Sequence, residues 1–289
     1  MRVLVTGGSG YLGQATVRAL HRHGHQVLAL ARGDDAQRRV TALGATAVRG
    51  GLTDLDVLHK TALEVDAAIH LAADDGPDTA ELDLAAATAI QDGLGLRPYV
   101  HTGGVWVYGN TTGVVDETAT QAPPAITAWR ADNEQRILER AGGGGNPVLV
   151  MPAVVYGHGG GLIGRFLGAP ARAGAAHYIG AGDNRWALVH VEDIAELYVA
   201  ALGAPAGGVY AGVDDSQSPT MRQIAEAVSI AAGHPGTASS ITMAQARHEF
   251  GPLADAFALD QRVSAAHARR DLRWAPAARD VLAELATDG

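Results

Sequence analysis

The sequence predicts an α/β fold, a doubly wound parallel sheet with a smaller α+β C-terminal cap. Three observations carry this reading. Short aliphatic or β-branched runs alternate with longer helical patterns up to Met151, which is the signature of βαβ units. A glycine-rich segment, Thr6-Gly7-Gly8-Ser9-Gly10-Tyr11-Leu12-Gly13, stands between the first run and the first helical pattern. Beyond Tyr156 the alternation gives way to a glycine-rich loop followed by helices of mixed polarity.

Taken in order, residues 3–6, 26–31, 45–49, 67–71, 99–102 and 147–151 read as successive strands. Near-continuous aliphatic runs suit a sheet covered on both faces. Residues 11–23 place Leu12, Ala15, Ala19 and Leu20 on one helical face and end at Gly24, a suitable left-handed C-terminal cap. Residues 127–141 form a polar amphipathic helix that stops at the four glycines 142–145. In the second half, 157–164 is a glycine-rich loop holding His158, and 185–195 passes from strand into a helix over 191–202. Helices are expected at 221–232, 243–250 and 277–285, with a charged segment at 265–274.

Composition excludes several chemistries. The 289 residues include no cysteine, so there is no disulfide framework, thiolate nucleophile or Cys-ligated metal. One lysine, Lys60, stands among 22 basic residues, and any lysine-dependent mechanism must run through it. A net charge of -9 argues against nucleic acid or an anionic membrane as partner. The N-terminal apolar run is too short for a signal peptide, and no segment offers the ~20 apolar residues of a membrane span. The expected location is cytoplasmic, the expected partners a small-molecule substrate and a second copy in a homodimer.

The glycine segment sits where a Rossmann phosphate loop must be. Gly7 permits the tight turn, Gly10 lets the backbone approach a pyrophosphate, and Gly13 lets helix and strand pack closely, with Ser9, Tyr11 and Leu12 between them. This makes 1–156 a dinucleotide-binding domain, to which part of 186–215 returns, and leaves 157–185 and 216–289 as a substrate-binding cap. Arg32, at the end of the second strand, occupies the place where an acidic residue selects NAD and an arginine suits the extra phosphate of NADP. NADP(H) is therefore preferred over NAD(H), although Asp34 and Asp35 follow closely and pull the other way. Metal sites are set aside, since His21, His23 and His25 have no carboxylates placed to complete a shell. Asp74, Asp75 and Asp78 follow the fourth strand and belong to a solvated loop or to the substrate mouth.

Together with the glycine loop, Leu52-Thr53-Asp54, His70-Leu71-Ala72-Ala73, Val107-Tyr108-Gly109, residues 152–157, 189–195 and 262–274 resemble the extended or atypical short-chain dehydrogenases/reductases, the NAD-dependent epimerase/dehydratase family. The resemblance implies that Leu71, Ala72 and Ala73 run under the cofactor, that Leu52 and Asp54 flank the adenine, and that Pro152 sits near the nicotinamide. It also implies a Ser-Tyr-Lys triad, and this the sequence lacks. No tyrosine has a lysine four residues on. Aligned by Glu134, which resembles the family's acidic residue eight positions after the tyrosine, the helix offers Ile126 for the tyrosine and Arg130 for the lysine; a register shifted by three offers Trp129 and Asn133. Arg130 can bind the ribose but cannot shuttle protons. Gly104 fills the serine position, leaving Thr102 as the nearest hydroxyl.

An intact loop beside a missing triad allows three readings. The first is an NADP-dependent oxidoreductase with a relocated acid, for which Tyr108, just beyond the fifth strand, is the leading candidate, with Thr102 and Arg130 around it and Tyr156 and His158 next. Tyr108 can equally be a packed aromatic below the site. The second is a non-redox cyclase, isomerase, lyase or dehydratase using His101, His158 or His190, of which His190 looks structural. The third is a nucleotide sensor without catalysis, against which the continuity of the C-terminal cap speaks.

Overall fold

The computed structural model describes residues 1–74, 76–174 and 176–287, so Asp75 lies outside the described residues. Seven parallel strands form the central sheet in the order β10-β6-β5-β4-β1-β2-β3, the doubly wound arrangement the sequence predicts. They are β1 (Arg2–Thr6), β2 (Gln26–Ala31), β3 (Thr46–Arg49), β4 (Ala67–His70), β5 (Pro98–Thr102), β6 (Asn146–Pro152) and β10 (Val209–Gly212). The switch point lies between β1 and β4, where the chain order reverses and ligands of open α/β sheets bind.

Burial explains why these segments are strands. In β1, Val3 and Val5 join one apolar cluster with Val17 and Leu20 of α1 (Tyr11–Arg22). Leu4, pointing the other way, joins Leu58 of α3 (Leu55–Leu63) and Ile90 of α4 (Thr79–Leu94). Side chains alternate across a strand, so a segment covered on both faces needs an aliphatic residue at every position. α2 (Asp34–Ala42) follows β2, and α5 (Ala128–Glu139) leads into β6, flanked by 3-10 turns.

The remaining elements build the cap and return the chain to the sheet. β7 (Val154–Tyr156) pairs in parallel with β9 (Leu188–His190), and β8 (His177–Ile179) with β11 (Ser239–Ile241). α6 (Gly161–Ile163) and α7 (Ala169–Arg172) flank a π turn. α8 (Val191–Ala201) packs on α1 and precedes β10, the strand that extends the central sheet beside β6. α9 (Met221–Ala231) and α10 (Met243–Phe250) each begin with a capping box, Thr220 with Gln223 and Thr242 with Gln245. The cap core gathers Tyr156, Leu167, Trp186, Met221 and Phe257, the last from α11 (Leu253–Phe257).

The C-terminal segment corrects the sequence expectation. α12 (Ala266–Leu272) ends at Arg273, whose φ of 53° is left-handed, and α13 (Val281–Leu285) starts four residues later than expected. Asp280 fixes that start by accepting a hydrogen bond from the Ala283 N–H at 3.0 Å. No described helix is long and apolar enough to cross a membrane.

Candidate functional site

At the β1–α1 junction the backbone is held by contacts that only glycine allows. Gly7 adopts φ +71°, and a Cβ there would stand 2.8 Å from the Ala72 nitrogen. A Cβ on Gly13 would lie 2.0 Å from the Gly7 carbonyl oxygen, so strand end and helix start touch backbone to backbone. The Gly10 N–H donates to that same oxygen at 3.0 Å. A cleft of about 700 Å³ opens above the loop, bounded by Gly7, Ser9, Gly10, Arg32, Leu52, Leu71, Ala72 and Ala73 among others.

Those eight expected residues share one cleft; the five others, Tyr11, Leu12, Gly13, Asp54 and Pro152, do not line it. Leu12 and Gly13 lie in the first turn of α1, and Asp54 accepts a hydrogen bond from the Gly51 N–H at 2.7 Å, fixing the loop that carries Leu52. Pro152 ends β6 away from the lining. Tyr11 reaches into the cap, its hydroxyl donating to the Gly157 carbonyl at 2.7 Å and its ring filling the space a side chain at Gly160 would need. Asp74 and Asp78 line the same cleft.

The two acids after Arg32 turn to arginines outside the cleft. Asp34 lies 3.4 Å from Arg49, and Asp35 pairs with Arg38. Arg32 remains in the wall, its stem against Gly51. The positive group thus faces the cavity and the negative ones do not.

Around the end of β5 the structure brings together two of the three residues expected at the reacting centre. An Arg130 guanidinium nitrogen donates to the Thr102 carbonyl at 3.1 Å, with the guanidinium over the Trp129 ring. The Thr102 hydroxyl donates to the His70 carbonyl at 2.7 Å and accepts from the Tyr198 hydroxyl at 2.9 Å. Tyr198, on α8 and fully buried, supplies a phenol that sequence reasoning missed, because 96 residues separate it from Thr102. Burial pushes that phenol well above its ordinary pKa.

Tyr108 does not join them. Its hydroxyl donates to the Met151 sulfur at 3.2 Å, the ring is buried, and burial again raises its pKa steeply, with Glu117 and Glu134 adding to the shift. Of the sequence's two readings of Tyr108, this geometry matches the packed aromatic. Tyr156 is likewise buried, in the cap core. His190 caps α8 by accepting from the Glu192 N–H at 3.2 Å and pairs with Glu284 at 2.9 Å, while His158, at a left-handed φ of 54°, contacts Glu192 at 3.4 Å.

Beneath the cleft floor lies a buried network with no counterpart in the sequence reading. Thr6 Oγ1 accepts from the N–H groups of Leu71 and Ala72 at 3.1 and 3.2 Å, so its own proton is free to be donated to His70 Nδ1, 2.9 Å away. Tyr99, fully buried, has its hydroxyl 2.8 Å from His101 Nδ1. The His70 imidazole then carries its proton on Nε2, facing the Asp83 carboxylate at 3.4 Å, His101 Nε2 stands 3.6 Å from the same carboxylate, and Asn133 donates to it at 3.1 Å. Burial alone would raise the Asp83 pKa, but these donors hold it down to about 2; burial drives His101 down to about 3. The three side chains are spaced closely enough to hold a metal ion. At His70 the hydroxyl partner of Nδ1 instead places a proton where a metal would need a lone pair. A clue was present in the sequence, since His70 and His101 are register partners on neighbouring strands; Asp83 had none.

Comparison with known proteins now adds the lineage. The model of the NAD dependent epimerase/dehydratase family matches residues 3–212. An uncharacterized protein of Saccharomyces cerevisiae is 30% identical over 287 residues, covering 96% of this chain and 95% of its own length. A 2-alkyl-3-oxoalkanoate reductase of Stenotrophomonas maltophilia is 29% identical, covering 84% of this chain and 79% of that protein. Among solved structures, the Thermus thermophilus UDP-glucose 4-epimerase complex with NAD superposes with a TM-score of 0.80 at 20% identity, over 100% of this chain and 97% of that one.

Proposed function

The chain belongs to the NAD-dependent epimerase/dehydratase family, and we propose that within it the protein is an NADP(H)-preferring reductase of a small carbonyl metabolite. The observation that carries this reading is the trio at the end of β5, where a hydroxyl (Thr102), a phenol (Tyr198) and a fixed cation (Arg130) stand in hydrogen-bonded sequence. These are the chemical types of the family's missing triad, drawn from different elements. The reductase named among its relatives supports the direction.

The cleft fits a dinucleotide. The glycine cradle leaves backbone N–H groups and the α1 N-terminus for a pyrophosphate, and Arg32 offers a bidentate partner for a 2′-phosphate. Bound NADPH supplies the hydride. Arg130 stabilises negative charge growing on the carbonyl oxygen, which a permanently charged guanidinium does without proton exchange. The Thr102 hydroxyl, held by the Tyr198 hydroxyl, turns from the His70 carbonyl to donate a hydrogen bond to that oxygen, and the proton that completes the alcohol comes from solvent. The Asp83 network keeps the β4 and β5 ends from shifting under this centre.

Two outcomes test the reading. Arg32→Ala weakens NADPH binding roughly 10- to 100-fold, the value of a charge-assisted phosphate contact, and leaves NADH within about twofold; titration of the two cofactors by fluorescence measures it, and equal losses for both would refute the phosphate role. Tyr198→Phe lowers kcat for NADPH oxidation in a carbonyl panel by roughly 10- to 100-fold with NADPH affinity intact, and Thr102→Ala by at least as much. Full activity in both variants would remove the trio from the mechanism.

A further inference from the structure

A second cleft, of about 600 Å³, opens between α5 and the β6–β10 side of the sheet and shares no lining residue with the nucleotide cleft. Its walls are apolar, with Leu138, Leu149, Met151 and Val209. Its polar groups are four carboxylates, the Tyr108 phenol and the amides of Gln121 and Gln135, so every charged group is acidic. Asp132 and Glu139 stand at the exposed mouth and Glu117 and Glu134 deeper in, with the Tyr108 phenol between and no lysine or arginine in the lining.

The two deep carboxylates differ in partnership. Glu117 accepts from the Ala211 N–H at 2.7 Å and pairs with His267 at 3.1 Å. Glu134 is 3% exposed, and neither of its oxygens has a hydrogen-bond partner among the described residues. Gly103 explains how it came to lie there, since a Cβ at that position would stand 2.6 Å from Glu134 Oε1. A buried carboxyl group without a donor costs about 1–3 kcal/mol, more when charged, and persists only where something offsets the loss.

We propose that this cleft is a binding site for a small amphipathic amine, its ammonium group meeting Glu134 on the floor and its aliphatic body lying against Leu138, Leu149, Met151 and Val209. An ammonium has three donors and no acceptor, which complements a cleft whose charged groups are all acceptors. An alkyl chain removes the apolar wall from water. The carboxylates at the mouth attract the cation and repel anions.

The site carries its own titration signature. Burial raises the Glu134 pKa to about 7, Arg130 one turn earlier opposing and Asp83 of α4 adding to it, while Tyr108 and Glu117 face it across the cleft. An ammonium on the floor expels that proton. Amine affinity therefore rises with pH, by about tenfold between pH 6 and pH 8, because the protonated fraction that must be displaced falls from about nine-tenths to one-tenth.

The test is calorimetric titration of the full chain with hexylamine, using hexanol as the uncharged control, at pH 6 and 8 and in two buffers of different ionisation enthalpy. Expected are one saturable hexylamine site, at least tenfold weaker hexanol binding, proton release below pH 7, and the tenfold pH slope. Glu134→Gln abolishes the slope and the preference for amine over alcohol, while the stabilisation given by NADPH stays unchanged. At the exposed mouth, Asp132→Asn weakens hexylamine only roughly two- to threefold, the value of a solvated charge. No saturable site, equal affinity for amine and alcohol, or a pH slope that survives in Glu134→Gln overturns the proposal.

Discussion

Gly13→Ala destabilises the protein by about 3 kcal/mol or more and removes the stabilisation given by either nicotinamide cofactor. Helix propensity alone points the other way, since alanine inside α1 is worth up to about 1 kcal/mol over glycine. The packing reverses that sign. The added methyl would lie 2.0 Å from the Gly7 oxygen and 2.7 Å from its carbonyl carbon, both backbone atoms that cannot rotate aside. Relief requires α1 to move off β1, which opens the turn whose N–H groups would meet a pyrophosphate. At this chain length the cost lowers Tm by at least about 6 °C, read by thermal denaturation with and without NADPH. Gly24→Ala is the matched control. Gly24, unlike Gly13, has a positive φ, +75°, but no described atom lies within 4 Å of its would-be Cβ, so only backbone strain of about 1 kcal/mol is incurred. Equal losses in the two variants would show that the close approach at Gly13 does not govern the loop.

Glu134→Gln stabilises the protein at pH 8 relative to pH 5, by a difference on the order of 3 kcal/mol. The carboxyl group titrates near 4.5 in the unfolded chain and near 7 when buried. Between those values the folded state holds a proton the unfolded state has lost, so this residue's contribution to stability falls as pH rises from about 4.5 to 7 and stays low above. A shift of that size is worth about 1.4 kcal/mol per pH unit. Glutamine cannot ionise and escapes the loss. Comparing variant and parent at each pH cancels the other titrations, His101 among them, whose lowered pKa works in the opposite sense by costing stability as pH falls below 6.5. Urea midpoints at pH 5 and 8 measure the difference, and a variant whose relative stability does not change with pH would mean that Glu134 is solvated in the folded protein. The same residue thus couples a stability cost to the acceptor on which the second cleft depends.

The segments most legible from sequence were those whose local chemistry and tertiary role coincide. Buried parallel strands need aliphatic residues at every position, so β1, β2, β5 and β6 stood out with boundaries within a residue. The glycine loop is a local turn in which Gly10 and Gly13 meet Gly7 a few positions away, although Gly7 itself is also pressed by the remote Ala72. The end of α5 was legible because four glycines follow it. The late start of α13 was not, since it depends on the Asp280 cap winning over a pattern that reads as helical from Ala277.

The proposed reacting centre was less legible because its members come from remote elements. Arg130 was found by aligning a helix and Thr102 as the hydroxyl nearest the serine position, but Tyr198 meets Thr102 only through the packing of α8 against the sheet and α1. Tyr108 lay one short turn beyond β5, and the turn of its 3-10 helix, which no residue pattern encodes, sends its hydroxyl to Met151.

By itself the sequence determined a doubly wound sheet with a glycine phosphate loop, and the absence of any Tyr-Lys pair, because one lysine at position 60 leaves no register in which that pair exists. The tertiary structure alone decided what stands near the missing groups: which hydroxyl faces which phenol, which carboxylates turn away from Arg32, and which carboxylate is left without a donor. Backbone pattern is written in neighbouring residues, whereas hydrogen bonds and desolvation depend on which side chains the folded layers press together.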